Sequence, residues 1–170
     1  MVYTHRVTTR LRYVFTHFFT TYTDHQVDFT DVLETFIAHN GPKFSYTNQR
    51  LGNEFFVESH PLFFDKGLND YVFELQTWED TPAFFSCTEN SAIPFDIFAS
   101  TFYMLSRYEE YMPHLKDSMG RFSTQNALLF HEKALDKPVV DIWAKKFMSM
   151  FSVFFPEVVP KKIIPKLETI

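Results

Sequence analysis

The sequence predicts an α/β or α+β fold in which helices pack on a mixed β-sheet within a single domain. The length of 170 residues suits one domain. Apolar residues recur at spacings of three and four near both ends of the chain, whereas aromatic and β-branched segments separated by turn residues fill the middle. Apolar residues make up 45% of the chain and charged residues 22%, so wholesale disorder is excluded.

Four segments carry the spacing that is typical of amphipathic helices. The second begins after an N-cap at Thr30-Asp31 and ends before Pro42, because proline cannot continue a helix. Pro94 suits the first turn of the third helix, and Ser91 upstream offers a cap. The predicted helices span residues 8–21, 32–40, 94–112 and 138–156.

The remaining ordered segments are predicted to be strands, since they are rich in aromatic and β-branched residues. They span residues 2–5, 26–29, 43–47, 54–59, 61–64, 71–78 and 83–87. Residues 126–134 fit neither a helix nor a strand. Residues 157–170 are rich in proline and lysine and are predicted to be a connector toward a C-terminal domain that this chain lacks. The predicted domain is therefore 1–156.

The overall charge and cysteine content exclude several functions. A net charge of -5 argues against a general nucleic-acid binder, and the basic cluster of Arg6, Arg10 and Arg12 is predicted to be a solvated helix start. No apolar run reaches the roughly 18 residues of a membrane span, and the N-terminus lacks a secretory signal pattern. Cys87 is the only cysteine, which excludes intrachain disulfides. The chain is expected to be cytoplasmic, without nucleic-acid or membrane partners.

The polar side of the predicted 94–112 helix is the most specific candidate site. Spacings of three and four place five residues in one stripe: Asp96, Ser100, Tyr103, Arg107 and Glu110. A guanidinium held by a carboxylate can present a fork to an anion or stack beneath a sugar ring. The stripe then binds a small anionic or carbohydrate-like ligand or a neighbouring domain. The alternative is a salt-bridge network that only ties the helix to a loop.

Asp141 completes the set of candidate binding residues. It forms an i,i+4 pair with Lys145 and lies beside the apolar stripe of the last predicted helix. Because it falls in the first turn after Pro138, it also suits a purely structural role in complementing the helix dipole.

No recognisable catalytic or metal site is predicted. None of the 7 histidines forms a one-face pair at a spacing of three or four. Cys87 follows an aromatic strand with nothing nearby to lower its pKa, and Ser106 lacks the glycine-flanked elbow of a hydrolase. The acid pairs Glu79-Asp80 and Glu109-Glu110 are adjacent in sequence, so each pair splays apart. Catalytic residues, metal ligands and cofactors are therefore expected to be absent.

Three segments resemble a family of Bacteroidetes proteins in the same order. They are residues 94–111, with Ser106-Arg107-Tyr108-Glu109-Glu110-Tyr111 at their end, residues 117–122, which include Gly120-Arg121-Phe122, and residues 137–144. Residues 10–15 and 43–47 are similar but less specific. In that family an uncharacterised N-terminal domain precedes a polysaccharide-deacetylase-like domain.

The resemblance implies an accessory domain whose partner is the C-terminal deacetylase-like domain of the same polypeptide. That partner domain would supply a metal-binding Asp and a His-x-x-x-His pair, and this chain contains neither arrangement. The leading hypothesis is a non-catalytic domain that docks or positions a carbohydrate or small anion. Two alternatives stay open: a structural or oligomerisation module, and an independent enzyme with a cleft formed by Arg107, Tyr103 and Asp141.

Overall fold

The computed structural model describes residues 1–161, and helices alternate with short strands along that range. The elements are β1 (Val2–Tyr3), α1 (Thr9–Tyr22), β2 (Phe29–Thr30), α2 (Leu33–Ala38), β3 (Phe44–Thr47), β4 (Phe55–Glu58), a 3-10 helix (Pro61–Phe63), β5 (Gln76–Trp78), β6 (Thr81–Ala83), α3 (Ile97–Leu105), two 3-10 helices (Tyr108–Tyr111 and Thr124–Asn126), α4 (Leu128–His131) and α5 (Val139–Phe154).

A parallel sheet with strand order β2-β1-β3-β4 organises the fold. α1 forms the crossover from β1 to β2, and α2 lies in the connection from β2 to β3, whereas residues 48–54 join the parallel strands β3 and β4 without a helix. Strands β5 and β6 form a separate antiparallel pair. The chain is thus a single α/β domain with helices packed on a sheet, as the sequence predicts.

The core between the sheet and the helices is largely aromatic. Phe98 of α3 stacks on Phe15 of α1 at 4.0 Å between ring centroids. The Phe98 ring also makes edge contacts with Phe18, Tyr46 and Phe147. Offset and edge-to-face arrangements are the ones that aromatic pairs prefer, so the high phenylalanine content is explained by packing.

The predicted helices α1 and α5 are confirmed because each has a continuous apolar stripe. Thr8 caps α1, with its Oγ1 accepting a hydrogen bond from the backbone N–H of Leu11 at 3.2 Å. The buried stripe of α5 includes Trp143, Phe147 and Phe151. Both stripes repeat every three to four residues, which is the signal that sequence periodicity detects.

The single helix predicted over 94–112 is wrong, because α3 ends at Leu105. Arg107 then adopts a left-handed backbone conformation with φ 52°, and the chain continues as the 3-10 helix Tyr108–Tyr111. Tyr108 is buried, and its hydroxyl both accepts from the backbone N–H of Asn69 and donates to the Asn69 carbonyl. This distant anchor fixes Tyr108 where a straight helix would not place it.

Several further expectations are wrong. The strand predicted over 71–78 is reduced to Gln76–Trp78, and of residues 83–87 only Ala83 belongs to a strand, Thr81–Ala83. The N-cap of α2 is Val32, without a side-chain cap, and not Thr30-Asp31. Residues 61–64 form a 3-10 turn instead of a strand, because Pro61 opens it and the Phe64 N–H returns to the Pro61 carbonyl at 2.7 Å. In the short helix α2 only Phe36 is buried, whereas Leu33 and Ile37, which share the apolar helical spacing of this segment, are exposed. The predicted connector falls partly outside the described residues, which end at residue 161.

Candidate functional site

A polar groove forms where the chain beyond α3 meets a surface turn. The groove has a volume of about 680 Å³. We call it the twin-arginine groove, and it is lined by Arg107, Glu110, Asp117, Arg121, Phe122, Ser123, Thr124 and Gln125.

Arg107 reaches the groove because of its backbone conformation. The left-handed turn at φ 52° and ψ 45° ends α3 and turns the side chain away from the core. The guanidinium forms an ion pair with Glu110, three residues further along. Its side chain is 73% exposed, whereas that of Glu110 is 27% exposed. A solvated guanidinium held by one carboxylate keeps donors free for a ligand.

Arg121 is presented from the opposite side by a tight turn. Gly120 supplies the positive φ of 77° that the turn needs. Asp117 Oδ1 accepts from the backbone N–H groups of Met119 and Arg121 at 2.8 and 2.9 Å. Asp117 Oδ2 accepts from Arg121 Nε at 3.1 Å and lies 3.0 Å from a terminal guanidinium nitrogen. The backbone hydrogen bond from Arg121 lowers the pKa of Asp117, so the carboxylate is ionised at neutral pH.

Hydrogen bonds at the ends of the groove fix the segments that line it. Asn126 Nδ2 donates to the Leu115 carbonyl at 2.6 Å, which holds the turn against the following 3-10 helix. Glu109 accepts from the backbone N–H of Leu128 at 2.9 Å, and burial raises the pKa of this carboxyl. The groove is therefore a built surface with two guanidiniums, two carboxylates and hydroxyl and amide groups between them.

Asp96 does not belong to this surface. It is fully buried and caps α3, where its Oδ1 accepts from the backbone N–H groups of Phe98 and Ala99 at 3.0 Å each. Its Oδ2 accepts from the hydroxyl of Tyr46 at 2.5 Å and from the backbone N–H of His60 at 2.7 Å. Burial raises the pKa of Asp96 to about 6. Asp96 is thus the buried N-cap of α3, and the first residue of the predicted stripe does not lie on the surface.

Tyr103 and Asp141 also lie apart from the groove. Tyr103 is nearly buried and stacks on Tyr108 at 5.3 Å between ring centroids. Asp141 accepts a 2.5 Å hydrogen bond from the hydroxyl of Tyr22, whose pKa is raised by burial and by this contact. Asp141 borders a different, apolar depression that also contains Met104. Ser100 is also buried, where its hydroxyl donates to the Phe84 carbonyl at 2.8 Å. Of the six candidates, the structure therefore brings only Arg107 and Glu110 together at the groove.

The sequence analysis does not predict Asp117 and Arg121 as site residues, because residues 117–122 enter it only through the family resemblance. Their i,i+4 spacing around Gly120 was the available signal, but it does not show which surface the turn faces. Within residues 1–161, no three His, Cys, Asp or Glu side chains cluster closely enough to hold a metal ion.

Comparison with known families gives one match, which covers most of the chain. Residues 1–156 match a family model described as "Family of unknown function (DUF7033)". The chain belongs to this family. No curated protein and no solved structure matches the chain.

Membership of DUF7033 carries no activity with it, and the match does not extend to polysaccharide deacetylases or to Bacteroidetes. Among the described residues of this family member, no helix has both the length and the apolarity to cross a membrane. The twin-arginine groove lies inside the matched range, so the groove is the candidate site of this DUF7033 domain.

Proposed function

We propose that this is a non-catalytic accessory domain that binds carbohydrate in the twin-arginine groove. The bound glycan would be positioned for a polysaccharide-deacetylase-like domain that follows in the same polypeptide. One observation carries the proposal: Arg107 and Arg121 come from separate segments, line the same groove and are each held by a carboxylate.

The charge of the groove favours a sugar over a simple anion. Arg107 and Arg121 are balanced by Glu110 and Asp117, so the lining has no net charge to attract a dianion. Sugar hydroxyls both donate and accept hydrogen bonds, and they can use the carboxylates and the guanidiniums at the same time. Phe122 adds an aromatic surface for the apolar face of a sugar ring.

Backbone strain at Arg107 also supports a binding role. A non-glycine residue in the left-handed region costs about 1–3 kcal/mol, and such residues cluster at functional sites. Glycine would adopt φ 52° without this cost, yet an arginine with a largely exposed side chain occupies the position.

The proposed partner rests on the resemblance of three sequence segments. Two of them, residues 94–111 and 117–122, contain the four charged residues of the groove. Segments that resemble an accessory domain of deacetylase-like proteins therefore converge at one candidate binding surface. A glycan is the substrate class that such a neighbouring domain would act on.

Thermal-shift screening of residues 1–170 tests the binding function. The ligands are acetylated chito-oligosaccharides, which are neutral, and deacetylated ones, whose amines are cationic, with sugar phosphates for comparison. A ligand at about 100 times its Kd adds about 2.7 kcal/mol to the free energy of unfolding, which raises the melting temperature by several degrees. We expect Arg107→Ala and Arg121→Ala to abolish the shift. Arg50→Ala is the matched control, because Arg50 is exposed outside the groove.

Three results would contradict the proposal. Ligand-induced stabilisation that survives in both groove variants would place binding elsewhere. Hydrolysis of acetylated sugars by residues 1–170 alone would show that the domain is catalytic. If no sugar stabilises the wild type and Arg107→Ala lowers the melting temperature by itself, the ion pair is structural.

A further inference from the structure

We propose a second binding site, for a phosphate monoester, at the carboxyl edge of the parallel sheet. This site is separate from the twin-arginine groove and does not depend on carbohydrate binding there. It is a depression of about 420 Å³ lined by residues 6–10 and 63–66, which we call the edge pocket.

The strand order places the edge pocket where parallel sheets form crevices. β1 lies between β2 and β3, and the connections that follow β1 and β3 run to opposite sides of the sheet, to β2 and to β4. In open parallel sheets, ligands bind outside the carboxyl ends of the strands at such a reversal. The chain that leaves β1 contributes Arg6 and Thr8 to the pocket. Residues 63–66, which follow β4, form the opposite wall.

Three of the nine residues that line the pocket are cationic, and one is acidic. Arg6, Arg10 and Lys66 face one acidic residue, Asp65. Within residues 1–161, neither guanidinium has a carboxylate within 4.0 Å, and the Lys66 ammonium makes no hydrogen bond. The excess positive charge in the pocket is therefore not neutralised by the described part of the chain, in contrast to the twin-arginine groove.

Backbone carbonyls hold the two arginines in place. Arg10 donates to the carbonyls of Leu62 at 3.1 Å and Gly67 at 2.5 Å, and Arg6 donates to the carbonyl of Phe64. Carbonyl partners fix the guanidiniums without cancelling their charge, and each guanidinium keeps further N–H donors for an anion. The N-terminus of α1 is adjacent, and its partial positive charge adds a smaller attraction for an anion.

The chemistry of the connection between β1 and α1 narrows the ligand class. Residues 4–8 contain no glycine, so the backbone cannot approach a pyrophosphate as closely as in glycine-rich dinucleotide sites. Recognition falls instead to arginine side chains, which form paired hydrogen bonds with phosphate oxygens. A single phosphate group on a small molecule is the ligand that fits these donors.

Amide NMR titration with inorganic phosphate and with glucose 6-phosphate tests this site. In the wild type, the signals of Thr9 and Lys66 should shift and saturate with either probe. Arg6→Gln and Lys66→Gln each remove one charge and should weaken binding about tenfold or more, the factor expected for a charge-assisted hydrogen bond. Lys66→Gln removes no hydrogen bond of the described structure, so loss of binding in this variant is not caused by unfolding.

Arg12→Gln is the matched control. It removes the same charge from the neighbouring helix α1, but the Arg12 guanidinium lies over the Phe29 ring at 5.2 Å and outside the pocket. We expect its phosphate affinity to stay within twofold of the wild type. The proposal is overturned by an equal loss in Arg12→Gln, or by shifts in the wild type that do not saturate. A loss of phosphate binding in Arg121→Gln with edge-pocket variants unaffected would move the site to the groove.

Discussion

Arg107 shows how a single residue can separate binding from stability. Its side chain pairs with Glu110 while its backbone occupies a region that favours glycine. The ion pair is largely exposed, so it contributes at most about 1 kcal/mol. The left-handed backbone at Arg107 destabilises the folded state by a free energy of similar or larger size.

Replacing Arg107 with glycine should therefore leave the domain as stable as the wild type or up to about 1 kcal/mol more stable. Sugar binding in the twin-arginine groove should be lost, because one of the two guanidiniums is gone. Urea unfolding gives the stability, and the thermal-shift assay gives the binding. Arg107→Ala keeps a side chain at the strained backbone, and it should be less stable than Arg107→Gly. A marked fall in stability of Arg107→Gly would assign the residue a structural role.

At the scale of elements, α3 depends on the capping carboxylate of Asp96. This residue is fully buried and accepts four hydrogen bonds, from Tyr46, His60, Phe98 and Ala99. Burial nevertheless raises its pKa from the ordinary 3.8 to about 6. The folded protein therefore holds a proton on Asp96 at a pH where the unfolded chain has released it.

The Asp96 contribution to stability should consequently fall as the pH rises. It is fully present below pH 3.8 and is lost as the pH rises through about 6. The pKa difference corresponds to about 3 kcal/mol. Urea unfolding of the wild type and Asp96→Asn between pH 4 and pH 7 measures it. The wild type should lose stability relative to Asp96→Asn across this range, and a difference that does not change with pH would show that the pKa is not raised.

The start of α3 could be predicted from the local sequence, but its end could not. Sequence periodicity places Asp96 on the polar stripe of a helix that starts at Pro94, whereas Asp96 is the N-cap of α3. Asp is itself a preferred N-cap residue, so this signal was present in the sequence. The end of α3 had no comparable signal, because Tyr108 is held by Asn69, 39 residues earlier in the chain.

At the scale of the whole molecule, the sequence predicts the core better than the surface. The stripes of α1 and α5 repeat at helical spacing, and their burial follows from that repeat. The twin-arginine groove requires the turn at Asp117–Arg121 to face Arg107, which tertiary packing decides. Periodicity therefore identified one half of the groove, Arg107 and Glu110, but not the other.

The groove and the edge pocket also differ in charge. The groove contains two arginines and two carboxylates, so its lining has no net charge. The edge pocket contains three cationic side chains and one carboxylate, so its lining has a net positive charge. A neutral sugar and a phosphate monoester should therefore bind at different surfaces of the same domain. Each surface has its own variants, so one proposal can fail while the other holds.

The most direct test is to observe the arginine Nε–H signals of ¹⁵N-labelled protein by NMR during titration with neutral oligosaccharides, including triacetylchitotriose. The account predicts that the signals of Arg107 and Arg121 shift together and saturate at the same sugar concentration. Those of Arg6, Arg10 and Arg12 should not move. Saturable sugar binding that leaves the Nε–H signals of Arg107 and Arg121 unchanged would contradict the proposed function. The same holds if none of the neutral oligosaccharides tested binds to the protein.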